Sequence, residues 1–528
     1  MSQGRIILIL VLIFIFGATI IGRLVFIQIL NQDFYKALAI GQQNNFEIFV
    51  PQRGKIFFSD GKNLLATNYL SNFIFISPNK IKNKENTAIV LSQILNLKED
   101  SLLEKLNKDS LYQELKTDLT EEELEKIKEA NLPAVYISQK IKRYYPQESL
   151  ASQIVGFLGG DGRGQYGIEG YYDDVLRGNE IRNGSDIILT LDFDTQFMAE
   201  KLLKEAKEEL DIEGGQIIII DPNTGKVIAM ANFPNFNPNQ YTEINNLEIF
   251  QNTAIQKIFE PGSIFKPITM AAAIEEKKVT PKTTFIDKGY EKIDGYTIYN
   301  YDKEVWGEKT MTEVLELSIN TGAIFAERQI DHKVFLDYIN KFGIFEPTNI
   351  DLQGEVFSQN KEFKNGYEIN FATASFGQGI EMTPIQIVRG ISIIANGGKL
   401  IKPYLVNPNP EEEKQIISQK TAAQLTAMLI SSVENGYAKR AKIPGYYIAG
   451  KTGTSQVPFS SLGIDKAGYS DKTWQSFIGW FPAFNPQFLI LVKLDNPKAP
   501  VAGASTTLIA RDLIKYLIDY HQIPPDYE

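Results

Sequence analysis

The chain has 528 residues, 43% of them hydrophobic, with 64 acidic against 54 basic side chains and a formal net charge of −10. That length provides for two to four domains and an ample core, and the acidic balance argues against nucleic-acid binding. Cysteine is absent, which excludes disulfides, thiol catalysis and thiolate metal sites; the two histidines, His332 and His521, lie far apart and read as surface residues, so no metal or cofactor is expected.

Residues 6–22 form an uncharged apolar run of 17 residues. As a helix this run spans roughly 26 Å at ~1.5 Å per residue, just short of a ~30 Å hydrocarbon core. Residues 24–27 extend it, and Arg23 can snorkel towards the interface. No small-residue cleavage site is evident, so residues 1–30 read as a short tail and an uncleaved transmembrane helix, with residues 6–27 in the membrane. Charge leaves its orientation open, because Arg5 precedes the run while Arg23 and Lys36 follow it.

Residues 31–185 read as a linker and an elongated mixed pedestal. Within them, residues 84–142 are rich in Lys and Glu, the mark of a solvated helical subdomain. Thr120 and Glu123 form a capping box, Leu124 and Ile127 follow at helical spacing, and Pro133 stops the pattern. From about Gly214 the order becomes strand, strand, many helices, then strands. Residues 216–220 and 227–231 predict a hairpin around Asn223-Thr224-Gly225. Residues 420–438 predict a helix, 446–449 a strand running into Gly450, 476–480 and 488–494 two late strands, and 506–521 an amphipathic terminal helix. Strands at both ends with helices between predict an α+β fold over residues 186–528, an antiparallel sheet sandwiched by helices.

Three short motifs lie in that region. Ser263-Ile264-Phe265-Lys266 is of the form S-x-x-K, which a chain of this size shows on the order of two or three times by chance; Ser59 with Lys62, Ser77 with Lys80 and Ser358 with Lys361 are such cases. Ser263 differs in its context. It follows Glu260-Pro261-Gly262 and opens the apolar run 268–274, with Pro267 tolerable only in the first helical turn. Ser318-Ile319-Asn320 follows a short helix that Thr310 and Glu313 open as a capping box. Lys451-Thr452-Gly453-Thr454 occurs once, and Gly453 lets another backbone approach the strand closely.

A serine hydroxyl is a poor nucleophile until a base takes its proton. A Ser–His–Asp triad is disfavoured by the placing of the two histidines. Lysine can serve if its pKa falls well below its usual value of about 10.4, and burial or a second cation both lower it. The spacing gives Lys266 a helix position one turn from Ser263, and Lys451 is the candidate second cation. The set as a whole matches the described pattern of serine acyl-transfer enzymes acting on D-alanyl peptides or β-lactams.

Further segments extend the likeness. They include Arg53-Gly54-Lys55-Ile56-Phe57, Arg143-Tyr144-Tyr145-Pro146 with Gly156, Gly167-Ile168-Glu169, Thr190-Leu191-Asp192, and Gly377-Gln378-Gly379 with Thr383-Pro384-Ile385-Gln386. With the three motifs they make the chain resemble a class B penicillin-binding protein, a monofunctional peptidoglycan D,D-transpeptidase. The resemblance implies a Ser263 nucleophile, a Lys266 base, Ser318 as proton relay, Asn320 on the substrate amide, and Lys451, Thr452, Gly453 and Thr454 along the substrate's terminal carboxylate. It also implies stem peptides as substrate, β-lactams as inhibitors, a single-pass protein of the bacterial cell membrane with its catalytic domain outside, and a SEDS-type glycan polymerase with division or elongation proteins as partners. The compact pedestal and Gly377-Gln378-Gly379 lean towards the division or sporulation branch. No stretch before residue 210 accommodates a glycosyltransferase, and no appended repeat modules are expected after the last helix. A D,D-carboxypeptidase, a β-lactamase and a non-catalytic membrane-anchored scaffold stand as alternatives.

Overall fold

The computed structural model describes residues 3–27, 32, 35, 51–179, 182–406 and 414–527. Helix α1 spans Gln3–Val25, 23 residues, where the apolar run predicts a helix. Its side chains are described from Leu10 onward, and among the described residues no helix is long and apolar enough to cross a membrane. The expected linker after residue 30 lies largely outside the described residues. Two compact units follow, one holding Thr67–Tyr144, the other holding Lys55–Ala66, Tyr145–Leu176 and the chain from Ser185 onward.

Strand β1 (Leu64–Ile76) enters the first unit at Thr67, and from there it pairs antiparallel with β2 (Gln113–Thr117) and with β3 (Val135–Tyr144), Ile74 lying opposite Ile137. Helices α2 (Lys84–Leu95), α3 (Glu99–Leu106) and α4 (Glu121–Ala130) put Leu91, Leu95, Leu102, Leu106, Leu124 and Ile127 against Ile74, Ile76 and Leu115. Their Lys and Glu residues lie outside this small core, as the composition predicts. The Thr120–Glu123 capping box forms, and Asn131 in the left-handed region ends α4 just ahead of Pro133.

The second unit runs α5 (Phe193–Leu210), β4 (Gly214–Ile220), β5 (Val227–Phe233), α6 (Lys266–Glu275), then four short strands, β6 (Thr284–Asp287), β7 (Tyr290–Ile293), β8 (Tyr296–Tyr299) and β9 (Gly307–Thr310). Helices α7 (Met311–Glu316), α8 (Asn320–Arg328), α9 (His332–Lys341), α10 (Glu368–Ala374), α11 (Pro384–Ala395) and α12 (Gln419–Asn435) come next. Strands β10 (Ala449–Pro458), β11 (Tyr469–Phe481) and β12 (Phe488–Asp495) and helix α13 (Thr506–His521) complete it.

Five strands form one antiparallel sheet in the order β10-β11-β12-β4-β5. Every residue of β4 is buried, so both faces of the sheet are covered and the run reads as continuously apolar rather than alternating. The period of two divides it. Ile217 and Ile219 join a core with α5 and α13, whereas Ile218 and Ile220 join one with α6, α11 and α12. The helix-sheet-helix arrangement therefore follows from one isoleucine run. The same core takes in Ile56, Phe58, Leu65, Ile154, Phe157, Ile168 and Leu176 from the segments before Ser185.

The late strand begins at Ala449 rather than 446. Residues before it bond elsewhere: the Tyr446 N–H turns back to the Ile443 carbonyl at 3.2 Å, the Tyr446 hydroxyl donates to the Ile523 carbonyl at 2.8 Å, and the Tyr447 N–H donates to Asp526 at 2.8 Å. Helix α12 starts at Gln419, where Ser418 accepts from the Thr421 N–H, and it ends at Asn435, ahead of Gly436.

Candidate active site

The Ser263 turn is built by a tight approach of two backbones. The Gly262 N–H donates to the Gly377 carbonyl at 2.9 Å. Gly377 has φ +81°, and a Cβ there would meet the Gly262 carbonyl oxygen at 2.1 Å; only glycine fits that conformation and that gap. Ser263 then sits in a 3-10 turn, Gly262–Phe265, that runs into α6 with Pro267 in its first turn. Residues three apart eclipse in a 3-10 turn, which places Lys266 above Ser263. Helix α6 is buried from Lys266 to Ile274, and Lys266 is only 1% exposed.

The Ser318 turn faces it. The capping box of Thr310 and Glu313 opens α7, and the Ile319 N–H closes the end of α7 on the Val314 carbonyl at 3.0 Å. Ser318 lies between them with φ +55°, the position after a helix that usually takes glycine. A non-glycine residue there stores about 1–3 kcal/mol of strain, and its hydroxyl is held inward. Asn320 begins α8. Lys266 Nζ donates to the Ser318 carbonyl and to Asn320 Oδ1 at 2.9 Å, and lies 3.2 Å from Ser318 Oγ.

Lys451 arrives from β10, opposite Ile478 of β11, and is 1% exposed. Its Nζ donates to Ser318 Oγ at 2.9 Å and to the Thr452 carbonyl at 3.1 Å. One hydroxyl thus stands between two buried amines. Burial, and secondly the charge of Lys451, push the Lys266 pKa well below the lysine range. Burial pushes Lys451 down to about 7. A neutral Lys266 has two N–H donors and one lone pair. The Ser318 carbonyl and Asn320 Oδ1 use the donors, so the lone pair remains to accept a proton.

Lys266, Ser318, Asn320 and Lys451 are thereby brought together, with Ser263 one turn away. Gly453 serves the approach predicted for it: a Cβ there would lie 3.0 Å from Ile264 Cγ2 and from the Pro261 carbonyl, so its absence lets β10 lie against the Ser263 turn. Thr452 joins through its carbonyl. The Thr454 hydroxyl accepts from the Ala502 N–H at 3.1 Å.

Glu260 is a residue that the motif reading passed over. It is buried, its carboxylate accepts from the Tyr469 hydroxyl at 3.1 Å, and its carbonyl accepts from Ser455 Oγ at 2.9 Å. Burial pushes its pKa up to about 7. The side chain ties the turn before Ser263 to β11, whose partner residues lie some two hundred positions away, and no local pattern signals that. His332, read as a surface residue, is half-buried between Glu327 at 2.7 Å and Glu368 at 2.8 Å and stacks on Phe371.

The family described as penicillin-binding protein transpeptidase domain matches residues 215–515, and the penicillin-binding protein dimerisation domain matches residues 48–185. The chain is 30% identical over 525 residues to stage V sporulation protein D of Bacillus subtilis, covering 92% of this chain and 80% of that protein. It is 28% identical over 557 residues to the probable peptidoglycan D,D-transpeptidase PbpC of Pseudomonas aeruginosa, covering 99% and 96%. The crystal structure of penicillin-binding protein 3 from Mycobacterium tuberculosis, complexed with aztreonam, is similar at 25% identity and a TM-score of 0.71, covering 90% of this chain and 97% of that one. With a transpeptidase domain that accounts for more than half its length and a dimerisation domain before it, the chain belongs to the penicillin-binding proteins, in their class B.

Proposed function

We propose that the chain is a peptidoglycan D,D-transpeptidase that cross-links stem peptides through an acyl-enzyme on Ser263, in wall synthesis during division or elongation. One observation carries the reading: the Ser318 hydroxyl lies between Lys266 and Lys451, both buried, beside the turn that bears Ser263. Lys266 takes the Ser263 proton as Oγ attacks the carbonyl of the penultimate residue of a D-Ala-D-Ala terminus. The backbone N–H groups of Ser263 and Thr454 bind the oxyanion. Ser318 passes the proton to the leaving nitrogen, and terminal D-alanine departs as the peptide C–N bond breaks. An amine of a second stem peptide then attacks the ester, gives up a proton through the same groups, and frees Ser263. Asn320 holds the substrate amide. Lys451, with the Thr452 and Thr454 hydroxyls, grips the terminal carboxylate, whose arriving charge favours the ammonium form of Lys451. Gly453 keeps that strand clear of a side chain.

β-Lactams acylate Ser263 by the same steps; the relative from M. tuberculosis solved with aztreonam supports this. The domain reading is a pedestal over residues 31–185 and a transpeptidase domain over 186–528, supported by the two family matches. Residues 6–27 anchor the chain in the cell membrane, a reading supported by the uncharged apolar run of residues 6–22, and the placing of the catalytic domain outside is implied by the family. The similarity to a sporulation protein supports the division or sporulation type, and a SEDS-type glycan polymerase is the partner implied by the family. The test is product analysis by mass spectrometry with a D-Ala-D-Ala stem peptide as donor and a second stem peptide bearing a free amine as acceptor. A peptide-linked dimer with release of one D-alanine is expected. Hydrolysed monomer alone would make the protein a carboxypeptidase.

A further inference from the structure

Helix α8, which carries Asn320, has no capping side chain of its own: Ile319 occupies the cap position. Its first N–H groups are satisfied from another element. Asn300, just past β8, is buried, and its Oδ1 accepts from the Asn320 N–H at 3.0 Å and the Thr321 N–H at 3.2 Å. Its Nδ2 donates to the Asp287 carboxylate at 3.0 and 2.9 Å and to the Glu304 carbonyl at 3.1 Å. A reversed amide would set its NH2 against two N–H donors and its oxygen against a carboxylate, so the network fixes which way Asn300 points. Asp287 is itself locked. It accepts from the Gly289 N–H at 2.9 Å, the Trp306 N–H at 2.8 Å and the Thr321 hydroxyl at 2.6 Å. One residue before Asn300, the Tyr299 carbonyl accepts from Asn320 Nδ2 at 3.0 Å. With its amide nitrogen held there, Asn320 turns Oδ1 to Lys266 Nζ.

We infer that Asp287 and Asn300 are positioning residues for acylation: they hold the start of α8 so that Ser318 and Asn320 face Lys266. The inference rests on the proposed role of Lys266 as base. It explains why the end of β8 lies against the start of α8, and it assigns work to two residues outside every motif. Around Lys266 stand Ser318 and Asn320 from the α7–α8 turn and Lys451 from β10. Loss of the Asn320 acceptor removes a contact that favours the ammonium form, so the Lys266 midpoint moves to lower pH.

The experiment uses the full chain and four proteins: wild type, Asn300→Ala, Asn320→Ala and the double variant. Penicillin acylation rates are measured as a function of pH, Lys266 is titrated by lysine 13C NMR, and melting curves give the folded fraction. Each single variant is expected to slow acylation by about tenfold or more per folded molecule, and the double variant to be no slower than Asn320→Ala alone, as residues acting through one contact are non-additive. In Asn300→Ala the Lys266 midpoint falls. Wild-type rate and midpoint in folded Asn300→Ala, or full additivity in the double variant, would overturn the inference. Should Asn300→Ala fail to fold, the exchange Asp287→Asn with Asn300→Asp decides. It keeps an acceptor at the helix start and one donor between the pair, so it is expected to acylate faster than Asn300→Asp alone; equal rates count against positioning. A wild type that penicillin does not acylate defeats the Ser263 reading, while the Lys266 titration still judges the role of Asn300.

Discussion

Lys266 is neutral in the fold at a pH where it is charged in the unfolded chain, and that difference has a measurable sign. Burial and the neighbouring Lys451 hold its pKa well below the usual value. Between that lowered value and about 10.4 the unfolded chain binds the extra proton, so stability rises with pH across this window. Lys266→Met removes the term. Denaturant titrations are expected to show the variant gaining on wild type near pH 8 and losing that gain towards pH 10, while acylation is lost at every pH; a difference that stays flat across the window would contradict the neutral buried lysine. At this scale the site was largely legible. Ser263, Lys266 and Lys451 stand in motifs whose order and context single them out. Glu260, Asp287 and Asn300 were not, because their partners come from β11, α8 and separate turns, and a chain read locally does not show which distant backbones need a cap.

Elements are held together by polar clamps as well as by the isoleucine run of β4. His332 at the start of α9 bonds Glu327 of α8 and Glu368 of α10 and stacks on Phe371, with Arg328 of α8 also reaching Glu368. Burial opposes the charge on His332, but the Glu368 and Glu327 carboxylates outweigh it and raise its pKa. A histidine raised in the fold contributes stability that is full below about pH 6.5 and is lost as pH rises through the folded value. The melting temperature of His332→Gln is therefore expected to trail wild type by more at pH 6 than at pH 9, and an equal gap at both would rule the clamp out. The sequence placed this histidine in a polar stretch and so on the surface; Glu327 is five residues away in the chain, but Glu368 and Phe371 of α10 meet it only in space. By contrast the helix over Thr506–His521 and the Thr310 and Thr120 capping boxes were readable to the residue, because cap chemistry and amphipathic period are local.

The molecule as a whole is not assembled in chain order. The segments Lys55–Ala66 and Tyr145–Leu176 belong to the same compact unit as everything from Ser185 on, and they place Ile56, Phe58, Ile154, Phe157 and Ile168 in its core. A fragment of residues 186–528 would leave that apolar surface uncovered, at roughly 25 cal/mol per Å². It is expected to melt well below a fragment of residues 51–528, or to aggregate; equal melting temperatures would show that the early segments add nothing. Sequence reading divides the chain linearly and sees neither excursion. The central claim, a Ser263 acyl-enzyme formed by a lysine-activated serine, is tested most directly by intact mass after incubation with a penicillin, for wild type and for Ser263→Ala. The account predicts one long-lived adduct per wild-type chain and none on the folded variant. An adduct that persists in Ser263→Ala, or a folded wild type that takes up no penicillin, would contradict it.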